Sequence, residues 1–199
     1  MRKHLLTAEQ VQRLRSACDS VTPKGKRDIA ILDTMLFQGL RLKEAANLNL
    51  MSFTNFGDQI TIQLKDRAYP IKVHGTLHQS LKTWLDQRGI PLENTTGPVF
   101  VPILKSDKNV QKPLDRRTIS HLVAYYGSLA GILPVKGPNR LTPGDLRRTC
   151  ARRAYDHGAD LLSIQAFLGF NHLETVVRYI GVSGLIDTAS VIDQINYEE

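Results

Sequence analysis

The chain has 199 residues, 42% of them hydrophobic, enough to bury a substantial core in one domain, with room for a loosely attached end. Lysine and arginine number 26 against 19 aspartates and glutamates, giving a net charge of +7. A surplus of that size favours a polyanionic partner, because basic side chains displace counterions condensed on nucleic-acid phosphates, but it fits a basic soluble enzyme with no such partner equally well.

Thr7-Ala8-Glu9-Gln10 reads as a capping box opening a helix, with Leu6 and Val11 placed as a hydrophobic staple and Val11, Leu14 and Cys18 along one face. A second helix is predicted from Arg27 to Phe37; Gly39 breaks the pattern and a short helix resumes near Arg41. At Gln59 the period changes: Ile60, Ile62 and Leu64 alternate with polar residues. A second extended run, Tyr69 to Val73, contains Pro70 and so belongs at an edge. Leu77, Leu81, Trp84 and Leu85 then predict a helix that stops near Gly89.

Residues 90–114 read as loop around a short apolar piece, Val99-Phe100-Val101, and carry Lys105, Lys108 and Lys112. Asp115 caps a predicted helix bearing Ile119, Leu122, Val123, Tyr126 and Leu129, followed by a second basic loop, Gly131 to Leu141. Thr142 as cap, Pro143 in the first position and Asp145 in the first turn open the next helix. Gly158 and Gly169 read as stops, Tyr179 falls on a further helix, and Ile186, Ala189 and Ile192 suggest a last one. The expected fold is therefore mainly α with a small antiparallel β-hairpin or meander, in one domain spanning residues 1–199.

The two cysteines are too few and too far apart for a disulfide framework or a zinc site. The histidines are scattered and no phosphate-binding glycine loop is present, so no metal or nucleotide cofactor is expected. No apolar run nears the roughly 20 residues of a membrane span, and nothing resembles a signal peptide. The sequence thus predicts a cytoplasmic protein without a membrane partner.

Four separated pieces carry the chemistry: Gly39-Leu40-Arg41-Leu42-Lys43-Glu44; Lys65 leaving the alternating strand; Asp145-Leu146-Arg147-Arg148-Thr149; and Leu168-Gly169-Phe170 with Arg178-Tyr179 beyond it. Together they resemble the catalytic domain of tyrosine recombinases of the phage integrase family, over roughly residues 7–185. The resemblance implies that Tyr179 is the nucleophile, Arg41 and Arg147 bind the phosphate, and Lys65 protonates the leaving 5′-oxygen. Guanidinium forks suit phosphate oxygens, and a lysine can act as general acid.

It also exposes two departures. Three residues before the second arginine the family usually places a histidine, where this chain has Gly144. After Leu168-Gly169 it usually places histidine or tryptophan, where this chain has Phe170. Lost acid–base help typically costs about 10²–10⁴-fold in rate. His172 is a possible substitute if the loop rearranges; otherwise it is an exposed residue near a helix start.

The pattern begins close to Met1, with no separate N-terminal core-binding domain expected in this chain, and so resembles short members such as the fimbrial phase-variation invertases. The implied partners are a double-stranded DNA target, further copies of the chain on synapsed DNA, and accessory DNA-bending proteins, with localisation at the nucleoid when bound. The alternative function is a recombinase-fold DNA-binding or regulatory protein that no longer cuts.

Overall fold

In the computed structural model the described residues are 4–56, 59–65, 67–91, 96–103 and 112–182. Five of the helices among them begin in the same way. A threonine or aspartate in extended conformation accepts the backbone N–H three residues on, satisfying a donor that the first helical turn leaves unpaired. These caps are Thr7 for α1 (Ala8–Ser16), Thr22 for α2 (Pro23–Leu36), Asp115 for α5 (Arg116–Leu129), Thr142 for α6 (Pro143–Asp156) and Asp160 for α7 (Leu161–Leu168). The short α3 (Leu42–Ala46), α4 (Gly75–Arg88) and α8 (Leu173–Ile180) complete the set.

Where α2 starts differs from the sequence expectation. Thr22 and Pro23 open it four residues before Arg27, with the threonine–proline signature that also opens α6.

The sheet has three antiparallel strands in the order β1 (Phe53–Phe56), β2 (Gln59–Ile62) and β3 (Ile71–Lys72). Pairing of Phe53 with Ile62 and of Ile62 with Ile71 fixes the register and buries Ile62 completely. The meander is therefore one strand larger than the alternation from Gln59 predicts, and β3 is only two residues long. Val99, Phe100 and Val101 are buried without forming a strand, the Val99 carbonyl accepting the Trp84 indole N–H at 2.8 Å. The expected last helix around Ile186–Ile192, and Lys105 and Lys108, lie outside the described residues.

Two apolar groups organise the described residues. The larger gathers α1 to α5, the sheet and Leu146 of α6. The smaller comprises Ala151 of α6 with Ile164, Leu168, Val176, Ile180 and Val182, flanked by Phe167, Phe170 and Tyr179. Helix α6 is common to both, with one end in each. Its first two turns are also tied to the start of the chain: Asp145 accepts the His4 N–H at 3.1 Å, and Thr149 Oγ1 accepts the Leu6 N–H at 3.0 Å.

Candidate active site

Helix α7 ends on Gly169, which is left-handed at φ 64°. The last carbonyls of a helix have no partner inside it, and they form the negative end of its dipole. Here three consecutive ones each accept from a different arginine: Phe167 O from Arg67, Leu168 O from Arg147 at 2.7 Å, and Gly169 O from Arg41. Arg147 also donates to the Gly39 carbonyl at 2.5 Å, from across the boundary between the two apolar groups. Gly39 itself is left-handed at φ 59°, and a Cβ there would fall 2.6 Å from Leu168 Cδ2. Glycine is what lets the two backbones approach closely enough to share Arg147.

Glu44 balances this cluster. Its carboxylate accepts the Arg41 backbone N–H at 2.6 Å and the Arg67 fork at 3.3 and 2.8 Å, and lies 3.6 Å from an Arg147 nitrogen. Burial alone would raise the Glu44 carboxyl, but the hydrogen bonds from Arg67 and Arg41 and the charges of Arg67 and Arg147 hold it below the usual carboxylate range. Burial acts the other way on Arg147, pushing it down to about 10, so it is still a cation at neutral pH. Three guanidiniums against one carboxylate leave a local surplus of two positive charges, suited to a phosphodiester. Arg67 and Arg147 are almost wholly enclosed, whereas Arg41 keeps 40% of its side chain exposed. Arg147 spends two of its five N–H donors on carbonyls, so others remain for an anion.

Tyr179, on α8, is half-buried beside this cluster. Its hydroxyl donates to the Gly144 carbonyl at 3.2 Å. Its ring packs on Phe170, centroids 5.1 Å apart, and Phe170 in turn lies under the Arg147 guanidinium at 5.2 Å. On the α6 side the Arg148 guanidinium sits 4.8 Å from the centre of the Tyr179 ring. Burial raises the Tyr179 phenol above its ordinary range, and the charges of Arg147 and Arg148 oppose that rise.

Of the residues singled out in the sequence, Arg41, Arg147, Phe170, Gly144 and Tyr179 meet in one place. Lys65 stands at its margin, exposed in the connection between β2 and β3. It lines a groove of about 290 Å³ with Lys43, Asn47, Ser52 and the same Glu44. His172 is exposed at the N-cap position of α8, with no side-chain capping bond. Gly144 has room: a Cβ there would meet only Thr142 Oγ1, at 3.7 Å. Asp145 is a capping residue, accepting from Thr142 and from Arg148. Lys136 and Arg140 of the second basic loop, and Lys112 of the first, are exposed.

Arg67 is the member that sequence reasoning missed. It follows Lys65 by two residues in the same turn, and a basic pair between two strands is its only sequence signal.

Comparison with known proteins identifies the family and the fold. Residues 4–184 match the family described as the phage integrase family. Tyrosine recombinase XerD of Xanthomonas axonopodis pv. citri (strain 306) is 31% identical over 185 residues, covering 87% of this chain and 57% of the relative. The chain thus spans less than three fifths of the length of that relative. Among solved structures, XerA recombinase superposes with a TM-score of 0.70 at 21% identity, over 99% of this chain and 67% of that one. XerH site-specific recombinase bound to its difH substrate, in a pre-cleavage complex, superposes at 0.68 and 21% identity, over 96% and 52%. At those identities the superpositions show a shared fold.

Proposed function

The chain belongs to the phage integrase family, and from that premise we propose that it is a site-specific recombinase, cutting and rejoining DNA through a phosphotyrosine without metal or nucleotide. The Tyr179 oxygen attacks the scissile phosphorus and loses its proton to water as the O–P bond forms. The bond to the 5′-oxygen breaks, leaving a 3′-phosphotyrosyl link, and Lys65 gives the departing oxygen its proton. Arg41 and Arg147 hold the non-bridging oxygens and offset the charge that builds up in the transition state. Attack by the 5′-hydroxyl of another strand reverses the step, and the tyrosine is restored.

The observation that carries this reading is the placement of Tyr179 against the arginine cluster: its ring on Phe170, Phe170 on Arg147, and its hydroxyl on the first turn of α6. The rival, a binder that no longer cuts, draws no support from relatives named as recombinases, and it leaves a tyrosine packed between Phe170 and the Arg148 guanidinium without a purpose. Double-stranded DNA is the partner in this proposal, as difH is for XerH. Exchange needs one nucleophile for each cut strand, so more than one copy must act together, and accessory DNA-bending proteins would serve to bring the sites side by side. The chain supplies the catalytic module.

The test is a nicked duplex of the target site, whose cut strand loses its 5′-hydroxyl fragment and so traps the covalent intermediate. The native protein should form a protein–DNA adduct and Tyr179→Phe none. The substitution removes one half-exposed hydrogen bond, so stability should fall by no more than about 0.5–1.5 kcal/mol. Tight, specific binding by the native protein with no Tyr179-dependent adduct sinks the recombinase reading.

A further inference from the structure

Arg148 belongs to none of the roles assigned above, yet it lies closer to the nucleophile's ring than Arg147 lies to that of Phe170. Its orientation is fixed. One terminal nitrogen pairs with Asp145 Oδ1 at 3.1 Å, and Asp145 is itself held by Thr142 and by the His4 N–H. The Arg148 side chain is only 13% exposed, and its Nε is buried with no hydrogen-bond partner among the described residues. A surface arginine seeking solvent would not be arranged in this way. The guanidinium is aimed across the tyrosine ring, a geometry in which a planar cation is attracted to the π face.

We propose that Arg148 is a positioning residue for strand cleavage, clamping the Tyr179 ring and stabilising the negative charge that its oxygen acquires during attack, at the site where position 144 offers no side chain. This rests on the recombinase reading and deepens it. As the phenol loses its proton to water and the O–P bond forms, charge spreads from the oxygen into the ring. A cation over the ring face attracts that charge more strongly than it attracts the neutral ring. The charged groups facing Tyr179 are consistent with this. From α6 come Arg147, Arg148 and Asp145, with Arg152 reaching the end of α8 at the Ile180 carbonyl. Helix α7 has no ionisable side chain, and on α8 itself Glu174, Arg178 and the preceding His172 are exposed. Burial and Asp145 raise the Tyr179 phenol and the charges of Arg147 and Arg148 lower it; Arg147 divides its donors between this site and two backbone carbonyls, whereas Arg148 lies directly over the ring.

The test replaces Tyr179 by difluorotyrosine, whose phenol titrates nearer neutrality and gives a single-site fluorine NMR signal, in the full chain. Against that background Arg148→Gln removes the charge and Arg148→Lys keeps it. Arg152→Gln removes a charge from the same helix away from the ring. Arg148→Gln should shift the titration to higher pH by about tenfold in phenolate fraction at fixed pH. Arg148→Lys should retain most of the native position, and Arg152→Gln should leave it in place. With the natural tyrosine, Arg148→Gln should slow adduct formation about tenfold at neutral pH and recover part of the loss as pH rises. A titration that does not move, or a rate loss equal at every pH, overturns the proposal and leaves Arg148 as a structural partner of Asp145. Absence of any Tyr179-dependent adduct from the native protein overturns the recombinase reading, and with it Arg148's part in the reaction.

Discussion

Position 144 combines an open space with a backbone already in use. Gly144 is the second residue of α6, its carbonyl receives the Tyr179 hydroxyl, and a Cβ there would clash with nothing. An imidazole placed there would start one residue's reach from the Tyr179 oxygen. Gly144→His should therefore speed adduct formation on the nicked duplex, by up to about 10²-fold. It should also raise stability slightly, since glycine costs a helix about 0.5–1 kcal/mol relative to alanine. A higher melting temperature with an unchanged rate would mean that proton management at 144 does not limit cleavage. Gly144, Phe170, Arg41, Arg147 and Tyr179 were legible in the sequence because each sits at a fixed offset inside a short motif. Arg67 was not. It is one of 26 basic residues, and what sets it apart, an enclosed fork on Glu44 and a bond to the Phe167 carbonyl, exists only once α7 folds back over the β2–β3 connection.

At the scale of elements, the end of α7 does more than position Phe170. Its three terminal carbonyls act as a template that spaces three arginines, and Gly39 is the point where the rest of the chain closes on it. Gly39→Ala should cost about 1–2 kcal/mol from the left-handed backbone alone, with more from the contact at Leu168. For a chain of this size each kcal/mol lowers the melting temperature by about 2–4 °C. The rate of adduct formation should fall further than the lost stability explains, because the Gly39 and Leu168 carbonyls jointly orient Arg147. Native rates below the lowered melting temperature would show that the two carbonyls are not needed together. The caps at Thr7, Asp115 and Thr142 were readable because cap chemistry is local. Thr22-Pro23 has the same signature, but polar Lys24-Gly25-Lys26 delays the apolar run and hides the start of α2. The four residues of β1 carry no alternation of their own and are a strand only by pairing with β2.

For the whole molecule, the site lies where two separately packed groups meet, with α6 running through both and Glu44 near the centre of the charges. Sequence pattern alone gives no hint of that seam, since it depends on how α7 and α8 return to α6. The seam makes the assembly sensitive to acid. Glu44 has a depressed folded-state pKa, so the stability it contributes is complete above its unfolded value of about 4.3 and is lost as pH falls through the lower folded value. Protonation leaves Arg67 and Arg147, both enclosed, without their counter-charge, and they then repel across the seam. Glu44→Gln imposes that state at every pH. Its melting temperature should lie well below native at neutral pH, and the gap should close as pH falls below about 4, because the native protein then loses the same charge. Melting followed across that range decides the matter: a gap that stays constant down to pH values below the folded pKa would show that the carboxylate's charge is not what joins the two halves.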